Sequence, residues 1–364
     1  MRQLLTCSLF LILAPLLSNR TEAQSLTQEE MLGQAEEFVL NMADSDRFSG
    51  TLLIAKGSEV LLEIPLGEAS KRFHVPIDMH TKFNLGSMNK MFTAVGIMQL
   101  REAGKLKLSD PLSKFVDESW LPKSITEEIS LQHLLSHTSG LGSYFNDEFF
   151  ASSRLRFSEL EDYKPLVQGD TLAFEPGSNY AYSNTGMLLL GVVIEQASGE
   201  NYFDYMRQHI FETAGMKHTD SYFMNQPVEN LAIGYIRDPS VPSGWRNNIY
   251  DHVLRGGPAG GGFSTVGDLQ RFALALTGGK LVGAESRELL WADPRNQGYG
   301  SGFGIQTLPS GERVVGHNGG FPGVNGNLDI FLESGYIVAV LTNYDHAASR
   351  ASEVIRGLIG RVVE

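Results

Sequence analysis

Residues Phe83 to Leu100 read FNLGSMNKMFTAVGIMQL, and the fold turns on how they are read. Met88, Met91, Phe92, Val95 and Met98 recur at helical spacing, and Ala94 and Ile97 widen the stripe until the helix is buried nearly all round. Ser87 opens this helix after Gly86, and Lys90 is the only charge between Ser87 and Leu100. A separation of three residues puts both side chains on one helix face. Burial disfavours an ammonium, so Lys90 is a candidate general base toward a nucleophilic Ser87. Free N–H groups at a helix start also favour the negative charge of an alkoxide or oxyanion. A capping serine and a snorkelling lysine would give the same letters. No other serine in the chain, however, has a lysine three residues on.

Outward from this helix, the two chain ends read as strands. Phe48 to Ala55 and Val60 to Ile64 flank Lys56-Gly57-Ser58, a hairpin. Phe303 to Leu308, Arg313 to Gly316, Asn327 to Leu332 and Tyr336 to Thr342 are short strand-like runs with turns at Pro309-Ser310-Gly311 and Glu333-Ser334-Gly335. Connections this short imply antiparallel order. A helix is expected from Ala347 to Val363, and the middle shows helical spacing at Ser87 to Ala103, Leu131 to Ser136, Met187 to Ala197 and Tyr202 to Phe211. The expected class is α/β (α+β): an antiparallel sheet built from both chain ends and flanked by helices, with a mainly helical region inserted. The sheet part is expected at about 28–86 and 290–364, and the helical part at about 87–289.

At the start, Arg2 precedes an apolar run from Leu4 to Leu17, and Thr21 and Ala23 are the small residues of a cleavage site. Residues 1–23 therefore read as a signal peptide, leaving a domain at 24–364 and an exported protein, periplasmic or secreted, with no stable membrane insertion after cleavage. Pro15 interrupts the run, which is shorter than the roughly 20 residues of a spanning helix. The single cysteine, Cys7, lies in this segment, so after cleavage neither disulfides nor thiolate chemistry are available. With 29 basic against 42 acidic residues, the net charge of −13 argues against nucleic acid or anionic membrane as partner.

Two further segments stand in order behind Ser87 and Lys90. Phe174 to Gly191, FEPGSNYAYSNTGMLLLG, places Tyr182-Ser183-Asn184 before an apolar helix. Val314 to Gly323, VVGHNGGFPG, ends a strand in His317-Asn318-Gly319-Gly320. Ser-x-x-Lys, Tyr-x-Asn and Lys/His-x-Gly in this order resemble the motif set of the penicillin-recognising serine hydrolases. The chain is similar to their class C β-lactamase, DD-peptidase and family VIII-type esterase branch. FSGTLLIA, LLSHTSGL (Leu134 to Leu141), Ala214-Gly215-Met216 and Gly260-Gly261-Gly262-Phe263-Ser264 extend the resemblance over nearly the whole chain after the leader.

That resemblance implies a β-lactamase/transpeptidase-like fold with the site between the sheet and the helical part. It implies Ser87 as acylated nucleophile, with Lys90 and Tyr182 sharing its proton and Tyr182 able to protonate the leaving group. Asn184 would donate to the substrate, and Asn318 and Gly319 would lie along it. The backbone N–H groups of Ser87 and Gly320 would hold the oxyanion. Where β-lactamases usually carry Lys-Thr-Gly, this chain has His317-Asn318-Gly319. A histidine near its ordinary pKa of about 6.5 is expected to be partly charged at neutral pH. An ester or small peptide substrate therefore fits better than efficient β-lactam hydrolysis, and a non-catalytic or slowly deacylating peptidoglycan sensor is the alternative.

Other signals carry less. His133 and His137 have metal-pair spacing without the glutamate of His-Glu-x-x-His. The glycines at 256, 257 and 260–262 lack a phosphate-loop ending and are expected to line the cleft. Tyr144 and Phe321 are candidates for substrate contact or for packing. No cofactor or metal is called for, the partner is a small-molecule or peptide substrate, and the oligomeric state is left open.

Overall fold

The computed structural model describes residues 25–363, so the expected signal peptide lies outside the described residues. Six strands form one antiparallel sheet: β1 (Gly50–Lys56), β2 (Glu59–Leu66), β3 (Gly304–Thr307), β4 (Arg313–Phe321), β5 (Val324–Phe331) and β6 (Tyr336–Thr342). Their order is β2-β1-β6-β5-β4-β3. The first hairpin joins the last strand along a continuous register from Gly50 opposite Thr342 to Lys56 opposite Tyr336. The sheet is thus built from both ends of the chain, as the sequence predicts.

Alternation along the strands explains why both sheet faces are covered. Leu52 and Ile54 of β1, with Val338 and Val340 of β6, pack on helices α1 (Gln28–Asp44) and α5 (Ala347–Ile359). Leu53, Ala55, Ala339 and Leu341 point the other way, into the larger core with α2 (Asn89–Glu102), α3 (Asn184–Ser198) and α4 (Val266–Thr277). Period-two side chains with apolar residues at both phases give a strand covered on each side. Every residue of β5 and β6 is buried accordingly. Among the described residues no helix is long and apolar enough to cross a membrane.

Two local differences from the sequence reading matter for the site. Helix α2 begins at Asn89, and Ser87 lies just before it in the 3₁₀ turn Gly86–Met88. Strand β4 runs on to Phe321 rather than ending at Gly316, because Gly319 and Gly320 pair with Gly326 and Asn325 of β5. β3 accompanies β4 only from Arg313 to Gly316. Beyond Gly316 the outer edge of β4 therefore has no strand beside it among the described residues, and that edge borders the cleft.

Helix α2 holds Lys90 in place through its own packing. Phe92 is 1% exposed and meets the rings of Phe211 and Phe272 edge-on at centroid distances of 5.2 and 4.8 Å. Gly96 keeps the helix close to its neighbours, since a Cβ there would stand 2.9 Å from Met206 Cε. Phe92→Ala should lower unfolding free energy by about 3–5 kcal/mol, the usual cost of emptying an aromatic site in a core. Urea titration followed by tryptophan fluorescence measures it, and a loss below about 1 kcal/mol would contradict this account of α2 packing.

Candidate active site

Two glycines bring the Ser87 turn against the free edge of β4. Gly86 has a φ of +50°, and a Cβ on it would stand 2.8 Å from the Gly320 nitrogen. A Cβ on Gly319 would stand 1.9 Å from the Leu85 carbonyl oxygen and 3.1 Å from the Ser87 nitrogen. Only chains without side chains can approach so closely. The amide nitrogens of Ser87 and Gly320 become neighbours in this way, and both residues line the cleft. A pair of adjacent backbone donors is an arrangement that can stabilise an oxyanion.

Lys90 is completely buried one turn further on. Its Nζ donates to Asn184 Oδ1 at 2.9 Å and to the Ala259 carbonyl at 2.5 Å. Burial holds its pKa well below the 10.5 of an ordinary lysine. A neutral amine spends two N–H bonds on these two acceptors and retains one lone pair, so the group can accept a proton. The Tyr182 ring centroid lies 4.8 Å from the same Nζ, and Tyr182 and Ser87 line the cleft side by side. Part of that ring is open to solvent at 39% exposure, but burial around the hydroxyl dominates and pushes its pKa up, with the neighbouring Ser87 side chain acting weakly the other way.

Asn184 opens α3, where Ser183 caps the helix by accepting the Gly186 N–H at 2.8 Å. The Asn184 amide is held from both ends: Oδ1 by Lys90, and Nδ2 by donation to Ser143 Oγ at 3.0 Å. The expected donation to substrate thus competes with Ser143. The glycine-rich segment lines the site as expected and has a second use, since it carries the Ala259 carbonyl that receives Lys90. Gly261 donates its N–H to the Gly86 carbonyl at 3.1 Å, fastening that segment beneath the Ser87 turn.

The expectation of a partly charged His317 is corrected. Its Nδ1 lies 2.5 Å from the Asn318 carbonyl oxygen, which can only accept, so Nδ1 carries the proton. Nε2 then accepts from the Tyr299 hydroxyl at 3.1 Å. Burial and then the nearby Lys90 push the pKa down to about 4, the Asn318 carbonyl acting weakly the other way. His317 is therefore a neutral ring whose two nitrogens are both occupied by the protein. Asn318 and Gly320 are exposed along the edge of β4, and Gly319 faces the Ser87 turn.

Ser87 stands between two spaces. A cleft of about 610 Å³ is lined by Tyr182, Tyr299, His317 and Asn318. An apolar cavity of about 60 Å³ is lined by Tyr144, Phe149, Tyr163, His252 and Phe321.

Comparison with known proteins agrees with this geometry. The Beta-lactamase family model matches residues 35–358. The chain belongs to the Beta-lactamase family, whose members are serine hydrolases. It is 31% identical over 336 residues to penicillin-binding protein 4* of Bacillus subtilis (strain 168), covering 86% of this chain and 73% of that one. The crystal structure of a penicillin binding protein from Bacillus halodurans superposes with a TM-score of 0.80 at 30% identity, over 88% of this chain and 98% of that one. A D-amino acid amidase from Ochrobactrum anthropi SV3 shares the fold at a TM-score of 0.76 and 21% identity, covering 91% and 98%.

Several residues of this Beta-lactamase family site escape the sequence reading. Tyr299 fixes His317. His137 takes a φ of +56°, accepts the Ser183 N–H on Nδ1 at 3.2 Å, and sets its ring 4.4 Å from Tyr182 and 4.7 Å from Tyr299. Burial, then Lys90 and His317, hold His137 well below its usual pKa. His133 instead accepts the Ser130 N–H on Nδ1 at 3.2 Å, as part of a helix cap. The HLLSH spacing was a signal that these two rings matter. What each does depends on partners about 3 residues before His133 and 46 after His137, which spacing does not reveal.

A depressed histidine pKa has a defined sign. His317 is neutral above about pH 6.5 in both folded and unfolded chains, while between 6.5 and 4 the unfolded chain binds more protons. The stability present above pH 6.5 should therefore be lost as pH falls toward 4. His317→Gln should show a smaller fall in melting temperature over that range than the parent. Differential scanning fluorimetry at half-unit steps checks this, and identical slopes would refute it.

Proposed function

We propose that the chain is an exported serine hydrolase that acts on an ester or amide through an acyl-enzyme at Ser87, without a cofactor. The observation carrying this reading is the conjunction at Ser87: Tyr182 next to its side chain, a completely buried Lys90 one turn on, and the Gly320 amide next to its own. Ser87 Oγ attacks the substrate carbonyl while its proton passes to the Tyr182–Lys90 pair. Negative charge builds on the carbonyl oxygen between the Ser87 and Gly320 amides. The proton returns through Tyr182 to the leaving group, and water then cleaves the Ser87 ester by the same steps in reverse.

The surroundings bear on the substrate. His317, neutral and bonded on both nitrogens, supplies no fixed charge for a substrate carboxylate. That favours an ester or a small D-amino-acid amide over efficient β-lactam turnover. The small cavity beside Ser87, apolar and walled by Tyr144, Phe149 and Phe321, suits a short uncharged acyl group. The name of the Bacillus subtilis relative supports including β-lactam-like compounds among ligands of Ser87. Export rests on the Arg2, Leu4 to Leu17 and Ala23 pattern.

A fluorophosphonate probe should add its mass at Ser87, and Ser87→Ala should remove labelling and lower kcat by at least about 10³-fold. Undiminished labelling of Ser87→Ala would overturn the mechanism. p-Nitrophenyl acetate and butyrate should be turned over at least roughly tenfold better, by kcat/KM, than the octanoate, since a small apolar pocket discriminates by about 1–3 kcal/mol per misfit group. Stoichiometric acylation with no turnover of any ester, D-alanyl amide or chromogenic cephalosporin would shift the reading to a peptidoglycan or β-lactam sensor.

A further inference from the structure

A buried side chain of the neighbouring strand holds the edge of β4 from behind. Asn325, on β5, is 4% exposed and directly opposite Gly320 in the sheet register. Its Nδ2 donates to the Gly319 carbonyl oxygen at 2.9 Å. The same nitrogen lies 3.0 Å from Ser349 Oγ, and Oδ1 accepts the Ser349 N–H at 2.7 Å, near the start of α5. The Thr342 hydroxyl donates to the Asn325 backbone carbonyl at 3.0 Å. Every polar atom of this side chain is thus engaged, and the amide has one orientation.

The carbonyl it grips belongs to the peptide that carries the Gly320 N–H. In a planar trans peptide the C=O and N–H point in opposite directions. Holding Gly319 C=O toward β5 therefore aims the Gly320 N–H out of the sheet, toward the Ser87 turn. The packing agrees, since it is the Gly320 nitrogen that a Cβ on Gly86 would meet at 2.8 Å. Glycine on both sides of this peptide gives the restraint its use: pairing with β5 holds only one edge of β4 here, and a Gly-Gly step has no side chains to limit rotation about its flanking bonds.

We propose that Asn325 is a positioning residue for the oxyanion hole: by tying the Gly319 carbonyl to the start of α5 it keeps the Gly320 N–H aimed at the acyl oxygen. This rests on the Ser87 acyl-enzyme reading. The link also makes the set of α5 against the sheet part of the site, although α5 contributes no group to the reaction.

Asn325→Asp tests it with almost no change of shape. The carboxylate still accepts the Ser349 N–H but presents an acceptor to the Gly319 carbonyl, which should turn the peptide. Loss of one oxyanion donor lowers kcat by about 10²–10³-fold, so kcat for p-nitrophenyl butyrate should fall by roughly 10²-fold with KM within about threefold. Asn325→Ala, which releases the peptide without repelling it, should lose roughly tenfold. Affinity for an arylboronate, whose adduct places a hydroxyl in the oxyanion hole, should fall in parallel with kcat. A purely structural role would move the melting temperature without this selective loss. Asn325→Ser, too short to reach Gly319, stands in should either variant fail to fold.

A folded Asn325→Ala or Asn325→Ser with kcat and boronate affinity within twofold of the parent would overturn the proposal. Failure of the underlying reading looks different, because then the parent itself shows neither boronate binding nor labelling at Ser87. In that event the crystal structure of Asn325→Asp still decides the positioning claim: a turned Gly319–Gly320 peptide supports it, and an unchanged one refutes it.

Discussion

Lys90 sits with no exposed surface on a helix packed between the sheet and two other helices, and its Nζ is met by two neutral acceptors. Removing an ammonium from water without a countercharge costs several kcal/mol, and the cheaper solution is to release the proton. The rest of the cleft follows from that constraint. α2 must be apolar enough to bury the stem. The glycine-rich segment must come close enough to offer the Ala259 carbonyl, and Asn184 must turn its oxygen rather than its nitrogen toward the amine. Ser143 enforces that turn by accepting the Asn184 Nδ2 donor. A residue with no place in the reaction thereby sets which face of an amide the lysine meets.

The neutral His317 belongs to the same balance. A protonated His317 would place an uncompensated buried charge next to Lys90, and burial and Lys90 both push its pKa down. A histidine resolves this by staying neutral, with its tautomer fixed by the Asn318 carbonyl and the Tyr299 hydroxyl. The rings of His137, Tyr299 and His317 then form an uncharged wall around Tyr182, at centroid distances from its ring of 4.4, 6.4 and 6.4 Å. Tyr182 is thus oriented by packing, and its raised pKa keeps the phenol protonated rather than ionised.

What could be read from the letters was whatever local spacing encodes. The six strands, the antiparallel order and the buried helix of Lys90 show in apolar periodicity and turn residues. The run of β4 through Gly319 and Gly320 did not, because glycine has low strand propensity and the pairing depends on Gly326 and Asn325 across the sheet. The 3₁₀ start at Gly86 was hidden for a similar reason: the turn is shaped by contact with β4 rather than by a capping residue. Of the site, Ser87, Lys90, Tyr182, Asn184 and His317 could be named as a set from their order. The charge of His317 could not be read, since its cause is burial that only the fold creates, together with Lys90, which the fold brings beside it from far along the chain.

These requirements meet at the free edge of β4. An extended substrate can lie along a strand edge only if no neighbour occupies it, and β3 stops at Gly304 opposite Gly316. An unpaired edge is ordinarily a liability for aggregation, and it is shortened here to His317–Phe321 and screened by the Ser87 turn on one side. The glycines that permit this close approach also leave the edge without side chains to stiffen it. Rigidity must then come from the strand behind, where Asn325 links Gly319 to α5. Backbone donors gain their effect on a developing oxyanion from being fixed before the reaction begins. The architecture therefore separates the two requirements, with bare backbone on the cleft side for approach and a fully bonded polar side chain on the far side for orientation.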